Sequence, residues 1–226
     1  MGSRYVDYYQ ESIIRTKEKD IPFRAIESCP IKINGKKYPS LLNIIEKAKI
    51  ILNPDNLGTD EIVCGLGDAH SGNVLCSNNL DSYIYIDYEF SGFHSPYLDI
   101  ARQLYIDSAF DIYYSDVLPP KKRQVQVEVV DGCLEIRHDY FPDKLSSFIF
   151  KTKMEGILLP YRNYCRENKL SLTNNWKEIL GLSLFCSGML SRNISNFEKD
   201  NFILNIANSV ESLDVDHYSH KFEKFK

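Results

Sequence analysis

Three features of the sequence predict an α+β fold that is predominantly α-helical. Apolar residues recur at helical spacing over 41–52 and through most of 143–212. Short apolar runs at 61–65, 74–76 and 83–87 read as strands separated by loop residues. Val125, Val127 and Val129, then Leu134 and Ile136, alternate on either side of Asp131-Gly132, a hairpin signature. With 226 residues, of which 43% are hydrophobic and 26% charged, the chain has the composition of an ordinary globular protein, long enough for one large domain or two small ones.

Taken in order, Tyr5, Tyr8, Tyr9, Ser12 and Ile13 predict a first helix over 4–19. Pro22 and Pro30 bracket an irregular segment, and Asn34-Gly35 reads as a turn. Ser40 is placed to cap a second helix whose broad apolar face (Leu41, Leu42, Ile44, Ile45, Ala48, Ile51, Leu52) ends at Pro54. That face suits a buried helix beneath the loop at 67–73. The three strand patterns follow, with Asn78-Asn79 as the turn between the second and third. A helix is expected from near Tyr97 to about Ala109, and helices over about 143–168, 174–193 and 198–212. Pro160 should end or kink the first of these three, and residues 217–226 are expected to fray as a polar and aromatic tail. The hairpin around Asp131-Gly132 reads as an insertion.

Charge and cysteine usage exclude several classes. A net charge of −4 and a pI near 5.8 make no electrostatic case for nucleic acid. The one compact basic run, Lys121-Lys122-Arg123, reads as a solvated loop. Six cysteines without a C-x-x-C pair read as reduced core thiols of a cytoplasmic protein. The apolar stretch 179–190 falls well short of the ~20 residues that span a bilayer. Val6 stands where a myristoylation signal needs Ser or Thr. The histidines at 94, 138, 217 and 220 are isolated or in the tail; His217-x-x-His220 would suit a metal if helical, but a polar tail is the better reading.

The chemistry concentrates in Gly67-Asp68-Ala69-His70-Ser71-Gly72-Asn73 and in Tyr83-Ile84-Tyr85-Ile86-Asp87-Tyr88-Glu89. Asp68 and Asn73 are five residues apart, the D-x-x-x-x-N spacing of a phosphotransfer catalytic loop, and Asp87 follows fourteen residues later at the end of a strand pattern. In that chemistry a carboxylate orients and deprotonates an acceptor hydroxyl, and hard oxygen ligands hold Mg²⁺ on the phosphate oxygens. Taken alone, Asp68 and Asn73 fit equally well a Gly-rich turn in which both satisfy backbone groups.

The segment LGDAHSGNVL…YIYIDYEFSGFHSPYLDIA resembles the aminoglycoside phosphotransferase and choline kinase group of protein-kinase-like enzymes. Their loop reads H-G-D-x-H-x-x-N, followed by I-D-[YFW]-E and then Y-x-D-[IL]-A. Asp68, His70, Asn73, Asp87, Glu89 and Asp99 fall on that pattern, and Leu66 departs from it where the family has His. The match covers residues 65–105. The resemblance implies a kinase-like C-terminal lobe over 1–226, with Asp68 as base or orienter and Asn73 and Asp87 as Mg²⁺ ligands. His70 and Asp99 would be structural supports, Asp99 accepting backbone N–H bonds from the catalytic loop, and Glu89 a carboxylate on the substrate side. It also implies ATP and Mg²⁺ as cofactors and a small polar hydroxyl compound as substrate.

The family's nucleotide lobe, with its Gly-rich loop, strand Lys and helix Glu, has no counterpart in the 67 residues before Asp68, which read as helical. The expectation is therefore a piece of a parent enzyme, with Met-Gly-Ser as a scar, or a chain that pairs with a separate polypeptide; alone it should bind ATP poorly. Two further readings compete. A pseudokinase-like interaction module would explain Leu66 and the missing lobe. The G-D-x-H start also resembles two-metal phosphoesterases, whose G-D-x-x-D-R and G-N-H segments are absent. The acceptor is left open, since acidic residues spread over the chain do not select a cationic one.

Overall fold

A computed structural model describes residues 2–15, 20–57, 61–119 and 121–223. About 49% helix and 17% strand make it an α+β structure with helix dominant. The first 57 residues carry α1 (Gly2–Tyr9), β1 (Ile13–Arg15), β2 (Asp20–Pro22), α2 (Phe23–Ile26), β3 (Ile31–Ile33), β4 (Lys36–Tyr38), α3 (Leu41–Ile51) and α4 (Pro54–Leu57). The first helix, expected over 4–19, thus ends at Tyr9 and gives way to β1, residues 16–19 lying outside the described residues. The described part of the segment read as irregular or helical holds four strands. Each has only three residues, too few for a period of two to stand out. Asn34 (φ 48°) and Gly35 (φ 91°) form the two-residue turn between β3 and β4. Ser40 caps α3 by accepting from the Asn43 N–H at 3.2 Å.

The motif segment follows with β5 (Val63–Gly65), a 3₁₀ turn at Ser71–Asn73, β6 (Val74–Cys76), β7 (Tyr83–Tyr85) and β8 (Gly92–His94), and leads into α5 (Pro96–Ser108) and α6 (Phe110–Tyr113). Beyond lie β9 (Val125–Val130), β10 (Cys133–His138), α7 (Lys144–Lys153), α8 (Leu159–Glu167), α9 (Trp176–Leu190), α10 (Lys199–Glu211) and α11 (Val215–His220). A π-helical turn, Met154–Leu158, joins α7 to α8 just before Pro160. The prolyl ring blocks regular i−4 bonding there, and the wider turn carries the chain past it without ending the helix.

The β9–β10 hairpin is not a detached insertion. β10 pairs parallel with β3, giving a four-stranded sheet in the order β4-β3-β10-β9. This sheet packs on α10, α10 on α9, and α9 on α5. α9 is apolar all round and is the centre of the fold: α1, α3, α5, α10 and α11 all pack on it. α3 therefore serves the α9 core, while the helix that holds the 67–73 loop is α5.

Three surface expectations change as well. The 217–226 tail does not fray where it is described: Tyr218 is fully buried, and Phe222 stacks on Phe150 with centroids 4.0 Å apart. The basic run is not a free solvated loop, since Arg123 and Lys121 both pair with the buried Asp111, at 2.6 and 3.2 Å. Of the six cysteines, all free thiols, Cys165 alone is fully buried, and Cys64 and Cys76 are exposed. Among the described residues no helix is long and apolar enough to cross a membrane.

Candidate functional site

Two small sheets frame the motif. β5 pairs antiparallel with β8 (Val63↔His94, Gly65↔Gly92) and β6 with β7 (Val74↔Tyr85, Cys76↔Tyr83), so the loop at 66–73 leaves one sheet and enters the other. The strand expected over 83–87 ends at Tyr85, and the Ile86 N–H donates to the Asn73 carbonyl at 3.0 Å, bringing the next loop alongside. Gly67 has φ +78°, and a Cβ there would overlap the Phe90 carbonyl; the two loops meet backbone to backbone where only glycine fits.

One face of α5 holds the loop. Asp99 accepts from the Leu66 and Gly67 N–H groups, each at 2.9 Å. The Leu66 bond is made by its backbone N–H, which any residue but proline supplies at that position. Arg102 donates from Nε to Asp68 Oδ1 at 2.5 Å. Asp107 accepts from the Ser71 hydroxyl at 2.6 Å and from its N–H, and pairs in turn with Lys153 of α7. Burial alone would pull the Arg102 guanidinium below its ordinary value, but Asp68 and Tyr113 more than offset this and leave it raised, so it stays charged.

Within the loop, Asp68's carbonyl accepts from the His70 N–H and from Asn73 Nδ2, both at 3.0 Å. The Gly72 N–H donates to His70 Nδ1 at 3.1 Å. A neutral His70 therefore carries its proton on Nε2, which lies 3.7 Å from Asp68 Oδ2, too far for a hydrogen bond. Among the described residues neither Asp68 Oδ2 nor Asn73 Oδ1 has a hydrogen-bond donor.

The structure gathers Asp68, His70, Asn73 and Asp99 on one loop and its supporting helix. It does not bond Asp87 or Glu89 to them: both are exposed, neither has a hydrogen bond or ion pair among the described residues, and Asp87 sits at φ +64° on the neighbouring loop. Among the described residues Asn73 Oδ1 and the Asp87 carboxylate have no hydrogen-bond partner, and each is a hard oxygen of the type Mg²⁺ accepts. Among the described residues no three His, Cys, Asp or Glu side chains converge as a metal cluster. His217 and His220 lie on α11, where His220 pairs with Glu223 at 2.9 Å.

Sequence reading missed Arg102, Asp107, Lys153 and His94. At 100° per residue, Asp99, Arg102 and Asp107 fall within about 140° on one side of α5, and that charged stripe on a half-buried helix is the signal that could have found them. His94, read as isolated, places Nε2 2.9 Å from Asp99 Oδ1, without the alignment of a hydrogen bond. No family model, no curated protein and no solved structure matches this chain.

Proposed function

We propose that this chain is the C-terminal, acceptor-holding lobe of an ATP-dependent small-molecule phosphotransferase, similar to the aminoglycoside phosphotransferase and choline kinase group. The observation that carries the reading is the loop itself: Asp99 ties down Leu66 and Gly67, and among the described residues Asp68 Oδ2 and Asn73 Oδ1 accept no hydrogen bond. Asp68 Oδ2 would accept the proton of an acceptor hydroxyl, while Arg102 on Oδ1 fixes the carboxylate's orientation. Asn73 and Asp87 would hold Mg²⁺, which when bound neutralises charge on the phosphate oxygens. Glu89, exposed on the same loop as Asp87, would be a carboxylate on the substrate side. A cytoplasmic setting belongs to the same reading and rests on the six unpaired cysteines.

The nucleotide would be covered by a second lobe, in the same parent chain or in a separate polypeptide. Its support is the surface around the motif: from Ile62 to His94 not one side chain is buried, and Leu75, Tyr83, Ile84, Tyr88, Phe90 and Phe93 are all more than half exposed. The same surface, with Arg102 occupying Asp68, also favours a second reading, a pseudokinase-like interaction module. Nothing in the geometry favours the two-metal phosphoesterase. The test is Asp68→Ala and Asp87→Ala in the complete gene product, with ATP consumption followed over a panel of hydroxyl acceptors. Both substitutions should abolish acceptor-dependent turnover, and unchanged transfer in both would sink the assignment.

A further inference from the structure

Beside Asp68 a cavity of about 650 Å³ opens between α1, the 66–68 turn and α5. Two guanidiniums (Arg4 and Arg102), two carboxylates (Asp68 and Asp99) and His94 line it. Their hydrogen bonds decide which charge it offers. Asp99 has an oxygen on each of two backbone N–H groups and His94 Nε2 beside it, so little of its charge is left for a ligand. Asp68 gives Oδ1 to Arg102. Arg4, in contrast, is exposed, has no carboxylate partner among the described residues, and makes one long bond, 3.5 Å, to the Leu190 carbonyl. Among the described residues, the cavity lining thus includes one carboxylate, Asp68, with an oxygen that accepts no hydrogen bond, and one guanidinium, Arg4, without a carboxylate partner.

We infer that the acceptor is a small hydroxyl compound bearing an anionic group, a carboxylate or phosphate, which Arg4 binds while the hydroxyl meets Asp68 Oδ2. A guanidinium presents paired N–H donors that match both kinds of oxyanion. A cationic acceptor would instead be placed against Arg4 with only the remaining Asp68 oxygen to attract it. The inference rests on the phosphotransferase reading for the identity of the ligand as acceptor, but the anion site itself needs no nucleotide.

The experiment is an NMR titration of the 226-residue chain, without ATP, with glycerate, glycerol 3-phosphate, glycerol and choline in turn. The amides of Gly67 and Asp68 are the reporters. Saturable shifts are expected with glycerate or glycerol 3-phosphate, and which of the two binds tighter distinguishes a carboxylate from a phosphate. Glycerol and choline should leave the reporters in place. Arg4→Gln, on an exposed side chain of α1, should weaken the anion about tenfold, the loss of one charge-assisted contact, with the remaining resonances unmoved as evidence of an intact fold. Saturation by choline, an anion affinity unchanged in Arg4→Gln, or no shift with any of the four overturns the proposal. Anion binding without phosphoryl transfer in the complete protein would retain the site and remove the kinase reading. Transfer to a cationic acceptor would do the reverse.

Discussion

The α9 core and the motif segment are built on opposite principles. Around α9 nearly every side chain from Ile179 to Leu190 is buried, and Gly188 lets α9 approach so closely that a Cβ would collide with Ser209 and the Tyr105 ring. From Ile62 to His94 no side chain is buried, and the segment has only two-stranded sheets, which hold little stability alone. Its shape comes from polar ties to α5: Asp99 on Leu66 and Gly67, Arg102 on Asp68, Asp107 on Ser71. One region is specified by packing and the other by directed hydrogen bonds, so substitutions should sort the two by what they disturb.

The largest loss is expected in the packed half, where burial and charge combine. Glu211 accepts from Lys221 at 2.5 Å and faces His138 at 3.4 Å, all three side chains being nearly inaccessible. Burial alone would raise its carboxyl, but His138 and Lys221 hold it below the ordinary value of 4.5. Glu211→Gln removes the anion between these groups and should cost about 3–5 kcal/mol in urea unfolding near neutral pH. Because the folded-state value is depressed, the wild-type contribution is full above about pH 4.5 and is lost as pH falls through the folded value. The variant's stability should therefore fall less steeply than the wild type's below pH 4.5; parallel acid limbs would contradict the assignment.

Leu184→Ala, a truncation on the fully buried face of α9, should cost about 2–5 kcal/mol by the same measurement. Asp99→Ala should cost less globally, about 1–3 kcal/mol, because it leaves two N–H groups without their acceptor. Its effect should be local: amide exchange at Leu66 and Gly67 should accelerate well before that of α9. If both regions accelerate together, the loop is not an independent unit. Phe93→Ser, at 82% exposure, should change stability by no more than about 0.5 kcal/mol, and a larger loss would mean the segment is packed after all.

The same division explains what could be read from the sequence. α5, α9 and α10 are long enough to show their period, and Asp131-Gly132 announces its hairpin, with Asp131 and Gly132 both at positive φ. β3 and β4, three residues each, do not, although Asn34-Gly35 marks their turn. Tyr218 and Phe222 were hidden because two aromatic anchors four residues apart among polar neighbours look like a tail until Phe150 is placed against them. In the site, Asp68, Asn73, Asp87 and Asp99 stand in a spaced motif. Arg102, Asp107, Lys153 and Arg4 take their importance from partners 34 to 186 residues away in the chain, a relation that no local pattern carries.

The central claim, that this loop serves a Mg²⁺-assisted phosphoryl transfer, is tested most directly by nucleotide binding to the complete gene product with and without Mg²⁺. ATP should bind tightly only with the metal, and the Mg²⁺ dependence should be lost in Asp87→Asn and Asn73→Ala but kept in Asp68→Asn. Nucleotide binding that needs no Mg²⁺, or a metal dependence that survives both Asp87→Asn and Asn73→Ala, would contradict it.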